Sequence, residues 1–434
     1  MKLIDPIWAP ALPQRFFTFE GGTLTCDIAV VGGGLAGLSA AHKILCRQPG
    51  ARVVVLEASR IGAGASGRST GMLGPGVGQS LPALVRARGK SAARALYRAT
   101  LRAVDEVEQL VKAERIDCEL ERTGQLVIAR SGSRLSQLAA TLEELELPSE
   151  SLDDEALARR ITLTPSRSSR GPAAVLLPDA GTLHPGKLLA GLAARVVARG
   201  GTIFEGARVT SVGRGSPVRL QIEGGGEVIA GQVVIATAGY TPGLGLLHGR
   251  VLPVHLQVLV TEPLEAEALA AIGWKNREGA LDARRIFNYF RLTADNRIVF
   301  GGGAPRYQWA GGLEDTGADS ALTRLEAELH ATFPAKLRVA GGWTGVIGYV
   351  ADALPAIDRW VDNDKVVHVV GWCGHGVALS VASGAWVSKL LFDGAASEDL
   401  PWYRSNPPLV PLEPVRWLSF RAAVSVMGML DQLG

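Results

Sequence analysis

The sequence predicts an α/β protein in which a parallel-sheet domain is assembled from separate stretches of chain around an inserted antiparallel sheet. Two apolar runs rich in β-branched residues, 28–31 and 53–56, flank a segment with helical character. Two similar runs follow much later, at 233–236 and 366–370. Residues 250–342, between these later runs, are rich in strand-forming residues and contain one helical stretch. The parallel strands are therefore distributed around an insertion.

The first apolar run ends in the turn Gly32-x-Gly34-x-x-Gly37. Gly32 permits a tight turn, Gly34 lets backbone N–H groups approach a pyrophosphate, and Gly37 lets the following helix lie close to the sheet. The positive end of that helix also suits a phosphate. The second run ends in Glu57, whose carboxylate can accept hydrogen bonds from ribose hydroxyls. The complete unit predicts a Rossmann-like dinucleotide-binding domain.

The loop that follows Glu57 indicates which dinucleotide binds. An NAD-binding domain uses the same fingerprint, but its crossover helix begins soon after the second strand. Here residues 58–72 form a long loop rich in glycine and serine, and its Ser66, Arg68 and Thr70 offer donors to a phosphate–ribityl chain. A long loop inside a compact domain is usually functional, although a flexible surface linker is the alternative. The sequence therefore favours FAD.

Composition excludes several other classes of protein. The chain has 434 residues, which exceeds one ordinary core, and its net charge of +3 with scattered arginines does not indicate nucleic-acid binding. Its four cysteines are widely spaced, so neither a disulfide framework nor a metal site is expected. The N-terminus lacks the pattern of a secretory signal, and no run reaches the ~20 apolar residues of a membrane span. We therefore expect a cytoplasmic protein.

The order of elements predicts domain boundaries. The FAD-binding domain is expected to comprise residues 1–80, 170–245 and 345–400, and the substrate domain residues 81–169 and 246–344. Those five ranges leave a C-terminal extension of residues 401–434.

The C-terminal extension contains a predicted amphipathic helix. Trp417, Phe420, Val424 and Met427 recur at three- and four-residue spacing, which places them on one helical face. Docking of this face on the body of the enzyme is the favoured interpretation. An interface with a second subunit, an electron acceptor or a membrane surface is the alternative.

At these motifs the sequence resembles the FAD-dependent amine and D-amino-acid oxidase (DAO) family, which includes glycine oxidase and monomeric sarcosine oxidase. The resemblance runs through nearly the whole chain in matching order, from the Gly32 turn to residues 373–377. The gamma-glutamylputrescine oxidase-like branch is the most similar, through the forms Trp343-x-Gly345 and Cys373-Gly-His-Gly376. The resemblance implies oxidation of a C–N bond to an imine, with a small-molecule amine as substrate and oxygen as electron acceptor.

The resemblance and the motifs together define the expected site. Tyr289, Trp343 and His375 are the expected catalytic residues, and Trp372 and Arg291 join the first two in binding substrate. The expected FAD-binding residues are Gly32, Gly34, Leu35, Ala36, Gly37, Glu57, Ala58, Arg60, Ser66, Arg68, Ser69, Thr70, Gly71, Val209, Ala238, Gly239, Gly345, Gly374, His375, Gly376 and Val377.

Three departures from the family pattern qualify these expectations. The Trp343 segment has no arginine for a substrate carboxylate, so Trp343 is expected to wall a pocket for an amine, with Arg291 as a possible substitute anchor. Val299 stands where sarcosine oxidase has a lysine that activates oxygen, which leaves open a dehydrogenase with a quinone or protein acceptor. A flavoprotein subunit with a vestigial site is a further alternative. Neither the loop after Glu57 nor the Trp343 segment contains a cysteine or histidine, so non-covalent FAD is expected.

Overall fold

The structure is a computed structural model that describes residues 2–12, 16–130, 132–165, 171–394 and 400–433. The strands in chain order are β1 (Phe17–Thr18), β2 (Thr23–Val31), β3 (Val53–Leu56), β4 (Met72–Leu73), β5 (Gln125–Ile128), β6 (Glu150–Leu152), β7 (Ala174–Leu177), β8 (Gly181–Thr182), β9 (Thr202–Glu205), β10 (Val209–Val212), β11 (Val218–Ile222), β12 (Glu227–Ile235), β13 (Leu252–Thr261), β14 (Gly279–Asp282), β15 (Tyr289–Leu292), β16 (Ile298–Arg306), β17 (Val339–Tyr349), β18 (Ala356–Trp360) and β19 (Asn363–Val370).

The helices in chain order are α1 (Leu35–Arg47), α2 (Leu81–Arg88), α3 (Lys90–Glu114), α4 (Gly132–Glu144), α5 (Asp154–Ala158), α6 (Pro185–Ala198), α7 (Ala266–Ile272), α8 (Ala318–Thr332), α9 (Gly376–Asp393) and α10 (Val415–Leu433). Short 3-10 turns occur at Ala9–Ala11, Ala65–Arg68, Ala238–Leu244 and Trp309–Gly311. Within the described ranges, no helix has both the length and the apolar character needed to cross a membrane.

The first sheet confirms the predicted α/β domain. Its parallel centre runs β9-β3-β2-β12-β19, so strands far apart in sequence are neighbours. The side chains of β3 are buried along its whole length, as expected for a strand covered on both faces. Helices α1, α6 and α9 pack on one face through a shared apolar core. The antiparallel strands β11 and β10 extend one edge, and β18 pairs with β19.

The second sheet has the order β17-β13-β16-β15-β14-β5-β7-β6. Its pairs are antiparallel except for the parallel pair β14 and β5, so the predicted antiparallel sheet is in fact mixed. Strand β7 belongs to this sheet, although the predicted range 170–245 assigned it to the FAD-binding domain. Four consecutive apolar residues indicate a buried strand but not the sheet in which it pairs. The predicted boundary at residue 170 lies outside the described residues.

The two faces of the second sheet have different coverings. Helix α8 covers one face, where Leu325 and Leu329 share a core with Phe290 and Phe300. The N-terminal arm covers part of the opposite face, where Trp8 packs with Trp343. The arm also runs beside β17, since Leu3 forms a parallel bridge with Gly342. The covered part of this second face adjoins the first domain.

Candidate cofactor and substrate site

A cavity of about 580 Å³ opens at the carboxyl ends of β2 and β3 and extends to β17 and the start of α9. Ligands of open α/β sheets bind at the carboxyl ends of the strands, and this volume lies within the usual range for small-molecule sites. The lining residues come from both ends of the sequence, and most of them lie within the stretches 31–36, 56–59, 63–69, 208–210, 236–244 and 372–380, although not every residue of these stretches lines the cavity.

The Gly32 turn has the geometry of a phosphate cradle. Gly32 has a φ of +110°, and a Cβ on it would lie 2.6 Å from the carbonyl oxygen of Ala236. A Cβ on Gly37 would lie 1.9 Å from the carbonyl oxygen of Gly32. Helix α1 begins after Gly34 without an N-cap side chain, and the Ser66 hydroxyl accepts the N–H of Leu35 at 3.0 Å. An uncapped helix N-terminus at a cavity suits an anion.

Glu57, directly after β3, binds the Gly32 turn through its carboxylate. Its two oxygens accept the N–H groups of Gly33 at 2.8 Å and Ser59 at 2.9 Å. Burial raises the pKa of this carboxyl above its usual value, and the two N–H groups counteract that effect. A carboxylate has about four lone-pair sites, so Glu57 keeps acceptor capacity for ribose hydroxyls.

Arg68 joins the Gly/Ser loop to the second sheet. Its guanidinium donates to the carbonyl oxygens of Ala63 and Thr344, each at 2.8 Å. Its aliphatic stem lies over Gly345, where a Cβ would come within 3.2 Å of it. In return, the Trp343 indole N–H donates to the carbonyl oxygen of Arg68 at 2.9 Å. These contacts fix one wall of the cavity against β17.

The far end of the cavity is formed by the start of α9. Trp372, Gly374, Gly376 and Val377 line it, and α9 has no side-chain N-cap. The imidazole of His375 points elsewhere: its Cδ2 lies 3.5 Å from the position of a Cβ on Gly76. Burial lowers the pKa of His375, so the ring is neutral near pH 7. The helix terminus, rather than the His375 side chain, therefore faces the cavity and can stabilise negative charge there.

Most of the expected FAD-binding residues line the cavity. The lining includes Gly32, Gly34, Leu35, Ala36, Glu57, Ala58, Ser66, Arg68, Ser69, Val209, Ala238, Gly374, Gly376 and Val377. The lining does not include Gly37, Arg60, Thr70, Gly71, Gly239, Gly345 and His375. Gly37, Gly71, Gly239 and Gly345 support close backbone or side-chain packing instead, and Arg60 is exposed.

The structure places the expected substrate residues on one face of the second sheet. Trp343, Val258, Gly301 and Tyr289 form one cross-strand row, and Arg291 lies two residues beyond Tyr289 on the same face. Strand spacing puts about 14 Å between the ends of this row, with Trp343 on β17 and Tyr289 on β15. Tyr289 and Trp343 therefore do not wall the same small pocket, and neither residue lines the cavity.

Trp343 and Tyr289 also differ in their surroundings. Trp343 is fully buried, with its indole N–H engaged by Arg68, so it supports the loop rather than presenting a free ring. The Tyr289 ring lies over Gly301, where a Cβ would come within 2.4 Å of it. Burial raises the pKa of the Tyr289 phenol to about 12, so it stays protonated and able to donate a hydrogen bond.

Arg291 is a buried cation that forms no close ion pair among the described residues, although the carboxylates of Glu119 and Glu121 attract it from farther away. It is 2% exposed, and its Nε has no hydrogen-bond partner. Its guanidinium carbon lies 5.3 Å from the centre of the Trp8 ring, and no carboxylate of the described chain forms an ion pair with it. Burial lowers its pKa to about 10, which leaves it charged near neutral pH.

Several residues of the site were not predicted from the sequence. Tyr240 and Arg208 line the cavity, and Trp8 anchors the loop by donating from its indole to the carbonyl oxygen of Ser69 at 2.8 Å. Arg208 directly precedes the expected Val209, and this adjacency could have identified it as a lining residue. Trp8 lies 61 residues from Ser69, and no local pattern connects an N-terminal arm to a distant loop.

The residues present fit FAD. The cavity combines a glycine cradle, an acceptor carboxylate and two helix N-termini, which are the groups that bind a dinucleotide. Its described lining contains neither cysteine nor histidine. Three potential metal ligands, His42, Cys46 and Glu114, meet elsewhere, but Glu114 already accepts a hydrogen bond from Arg199 at 2.8 Å. The contacts of these three side chains are accounted for without a metal ion.

Comparison with known proteins agrees with this geometry. Residues 27–390 match the DAO family model, described as FAD dependent oxidoreductase. The chain is 31% identical to gamma-glutamylputrescine oxidoreductase of Escherichia coli (strain K12), over 88% of each chain. Its fold is similar to that of glycine oxidase from Geobacillus kaustophilus (TM-score 0.72, 20% identity, 89% of this chain and 100% of that one). It is equally similar to L-proline dehydrogenase from P. horikoshii (TM-score 0.72, 20% identity, 88% and 97%).

Proposed function

Because the chain belongs to the DAO family of FAD-dependent oxidoreductases, we propose that it oxidises the C–N bond of a primary or secondary amine, or of an N-substituted amino acid, to an imine. When bound, FAD would supply the redox chemistry as the acceptor of a hydride from the carbon next to nitrogen, and the substrate nitrogen would release its proton to water. Water then hydrolyses the imine. The residues of this chain bind the amine, orient it and exclude solvent.

One observation carries the proposal: the cofactor cavity ends on the sheet face that holds the expected substrate residues. Ile347 of β17 lines the cavity, and side chains alternate along a strand. Ile347 therefore shares its face with Trp343 and, across the sheet, with Tyr289 and Arg291. This shared face supports a substrate position between the second sheet and the cavity end formed by Trp372 and α9.

Arg291 narrows the proposed substrate class. A buried charge without a partner costs several kcal/mol, which a substrate carboxylate would offset. We therefore assign Arg291 as the anchor for a carboxylate on the amine substrate, with the Tyr289 phenol as a hydrogen-bond donor. The E. coli relative is named for gamma-glutamylputrescine, an amine joined to a glutamyl group, which supports an amine with an acidic group elsewhere in the molecule. Glycine and D-alanine, whose carboxylate adjoins the reacting carbon, are expected to be poor substrates.

Oxygen is the proposed acceptor, and a quinone or protein acceptor is the second candidate. Val299, which stands where the resemblance to sarcosine oxidase places a lysine, is buried in an apolar cluster with Trp8 and Trp343. Its cross-strand neighbour is Arg291, so a cation is present one strand away. This neighbour supports oxygen reactivity, whereas the uncharged Val299 favours the dehydrogenase.

We further propose that FAD is bound non-covalently and that the enzyme is cytoplasmic. The lining offers no cysteine or histidine for attachment. Cys373, the nearest cysteine in sequence to the cavity, is buried, and burial raises its pKa to about 12, which disfavours the reactive thiolate. All four cysteines are free, which supports a reducing compartment.

Anaerobic mixing with a panel of amines tests the proposal. The panel comprises polyamines, gamma-glutamyl conjugates of them, N-methyl amino acids, glycine and D-alanine. Bleaching of the flavin band near 450 nm by carboxylate-bearing amines is the expected result, and its absence across the panel would identify a vestigial site. Admitting air, or adding a quinone, then distinguishes oxidase from dehydrogenase. Rapid bleaching by glycine or D-alanine would contradict the remote-carboxylate assignment.

A further inference from the structure

Helix α10 has two apolar faces, of which the protein covers one. On the inner face, the Trp417 ring packs on Trp309 at 6.0 Å and the Phe420 ring on Tyr307 at 5.7 Å. The Asp431 carboxylate fixes the other end by accepting the backbone N–H of Arg285 at 2.9 Å. Trp417 and Phe420 therefore dock on the enzyme body as predicted. Met427, which was predicted to share this face, is exposed.

The opposite face of α10 is exposed and carries no charge. It consists of residues spaced three and four apart, namely Val415, Leu418, Ser419, Ala422, Ser425, Val426 and Met429. Val415 and Leu418 are each 56% exposed, Val426 53% and Met429 60%. A surface helix normally turns charged residues to solvent, and an exposed apolar stripe of this kind indicates an interaction site.

The residue types of the stripe are arranged symmetrically about Ala422. Positions three residues away on either side are Ser419 and Ser425, and positions four away are Leu418 and Val426. Positions seven away are Val415 and Met429. Each pair matches in size and polarity, with small residues at the centre and bulky ones at the ends. In an antiparallel pair with a two-fold axis at Ala422, each residue faces the one at the same distance on the other side of Ala422, so small side chains meet at the centre and bulky ones meet at the ends.

We propose that two copies of this chain associate through antiparallel α10 helices that cross at Ala422. Small side chains at the centre let the helices approach closely, while Val415 and Leu418 of one copy contact Met429 and Val426 of the other. The antiparallel arrangement also sets opposite helix ends side by side. Leu409 and Leu412, 66% and 79% exposed, enlarge the apolar surface beside the helix.

A second copy fits this face better than a membrane surface. Helices that lie on membranes present arginine or lysine to the lipid headgroups. The two arginines of α10 lie off the stripe: Arg416 donates to the carbonyl oxygen of Pro411 at 2.8 Å, and the exposed Arg421 stacks at 4.5 Å on Trp417 of the inner face. The stripe itself offers no cation.

Sedimentation of the FAD-loaded protein tests the proposal. The expected mass is twice the 45.6 kDa of the chain. Ala422→Asp places like charges at the two-fold axis and should give a monomer with its flavin absorbance intact. Ala423→Asp puts the same charge about 100° around the helix and should remain dimeric. A monomeric wild type, or equal effects of both variants, would overturn the proposal.

Cross-linking in a Cys46→Ser background tests the register. Ala422→Cys should form a disulfide with itself, since the axis brings two copies of this position together. Val415→Cys should cross-link only when mixed with Met429→Cys. Self-linking of Val415→Cys would show a parallel pair and contradict the antiparallel arrangement. A monomer that sediments with vesicles of phosphatidylcholine and phosphatidylglycerol would contradict the choice of partner.

Discussion

Arg291 serves binding at the expense of stability. A guanidinium that is 2% exposed and stacked on Trp8 has lost most of its hydration, and the carboxylates of Glu119 and Glu121 compensate this loss only from beyond ion-pair distance. Cation–π contact returns about 2 kcal/mol at best. The folded, substrate-free enzyme therefore contains an electrostatic strain that a bound carboxylate would relieve, and removal of the charge should separate the two effects.

Arg291→Met should stabilise the substrate-free enzyme while impairing catalysis. Replacing a buried charge by an apolar side chain of similar volume is expected to raise the free energy of unfolding by about 1–3 kcal/mol. Flavin reduction by a carboxylate-bearing amine should become at least tenfold less efficient, mainly through KM. Urea unfolding and stopped-flow reduction measure the two quantities. Arg214→Met, at an exposed position, is the control, and a destabilised Arg291→Met would refute the account.

The pH dependence of that stability difference gives an independent prediction. Burial lowers the pKa of Arg291 from its usual value to about 10 in the folded state. Below pH 10 both folded and unfolded states hold the proton, so the folded state bears the full cost of burial. Above pH 10 the folded state releases the proton and the cost declines. The stability advantage of Arg291→Met should therefore be constant from pH 7 to 9 and shrink by pH 10.5, as measured by urea unfolding.

Gly34 tests the phosphate cradle. A Cβ there would lie 2.9 Å from the Ser66 hydroxyl, which itself accepts the Leu35 N–H at the start of α1. Gly34→Val should therefore displace Ser66, fill the cradle and abolish FAD retention through purification. Gly215→Val, on an exposed turn, should retain stoichiometric flavin by absorbance. Normal FAD content in Gly34→Val would show that the phosphate does not bind at this turn.

Among the secondary-structure elements, the N-terminal arm has the largest effect that local sequence did not reveal. Trp8 connects the arm to Ser69 of the cofactor loop, to the His184 ring at 4.8 Å and to Arg291 of β15. Its few residues thus join the first domain to the second sheet. An arm rich in proline and phenylalanine gives no periodicity, so its docking site depends wholly on tertiary contacts.

Trp8→Ala should destabilise the protein by about 3–5 kcal/mol, because it empties a fully buried site. Trp8→Phe keeps most of the packing but loses the hydrogen bond to Ser69, so it should weaken FAD binding more than it lowers stability. Thermal unfolding and flavin release measured by fluorescence separate the two variants. Val361→Ala, at a side chain that is 61% exposed, should cost less than 1 kcal/mol. A loss of stability below about 1 kcal/mol for Trp8→Ala as well would contradict a structural role of the arm.

The sequence predicted those parts of the molecule that depend on local chemistry. The Gly32 turn, Glu57 and the α9 terminus were identifiable because each has a fixed spacing and a backbone requirement. Tyr289, Arg291 and Trp343 were identified as substrate residues from their local motifs, but their relative positions depend on the order in which β17, β13, β16 and β15 pair. Strand order is a long-range property, so the distance between Trp343 and Tyr289 could not be predicted. The same reason explains the misassigned β7.

The two sheets meet across the cofactor cavity, and this arrangement links cofactor binding to overall stability. Residues from the Gly32 turn and from β17 line one continuous cavity, and the Arg68 and Trp343 bonds close it at the side. A ligand in this cavity contacts both domains and cannot bind the unfolded chain in the same way. Its free energy of binding is therefore added to the free energy of unfolding.

Free FAD should accordingly raise the unfolding temperature in a concentration-dependent manner. At a free concentration 1,000 times Kd, one non-covalent site adds about 4.1 kcal/mol at 25 °C, and each further tenfold increase adds about 1.4 kcal/mol. Calorimetry of the apoprotein titrated with FAD measures this slope, with FMN, which lacks the adenosine that Glu57 and Val209 are expected to contact, as the control ligand. Acid precipitation should release all flavin to the supernatant. Flavin retained by the precipitate would instead require a covalent bond that the cavity's lining does not provide, and an unfolding temperature independent of FAD would contradict reversible binding in this cavity.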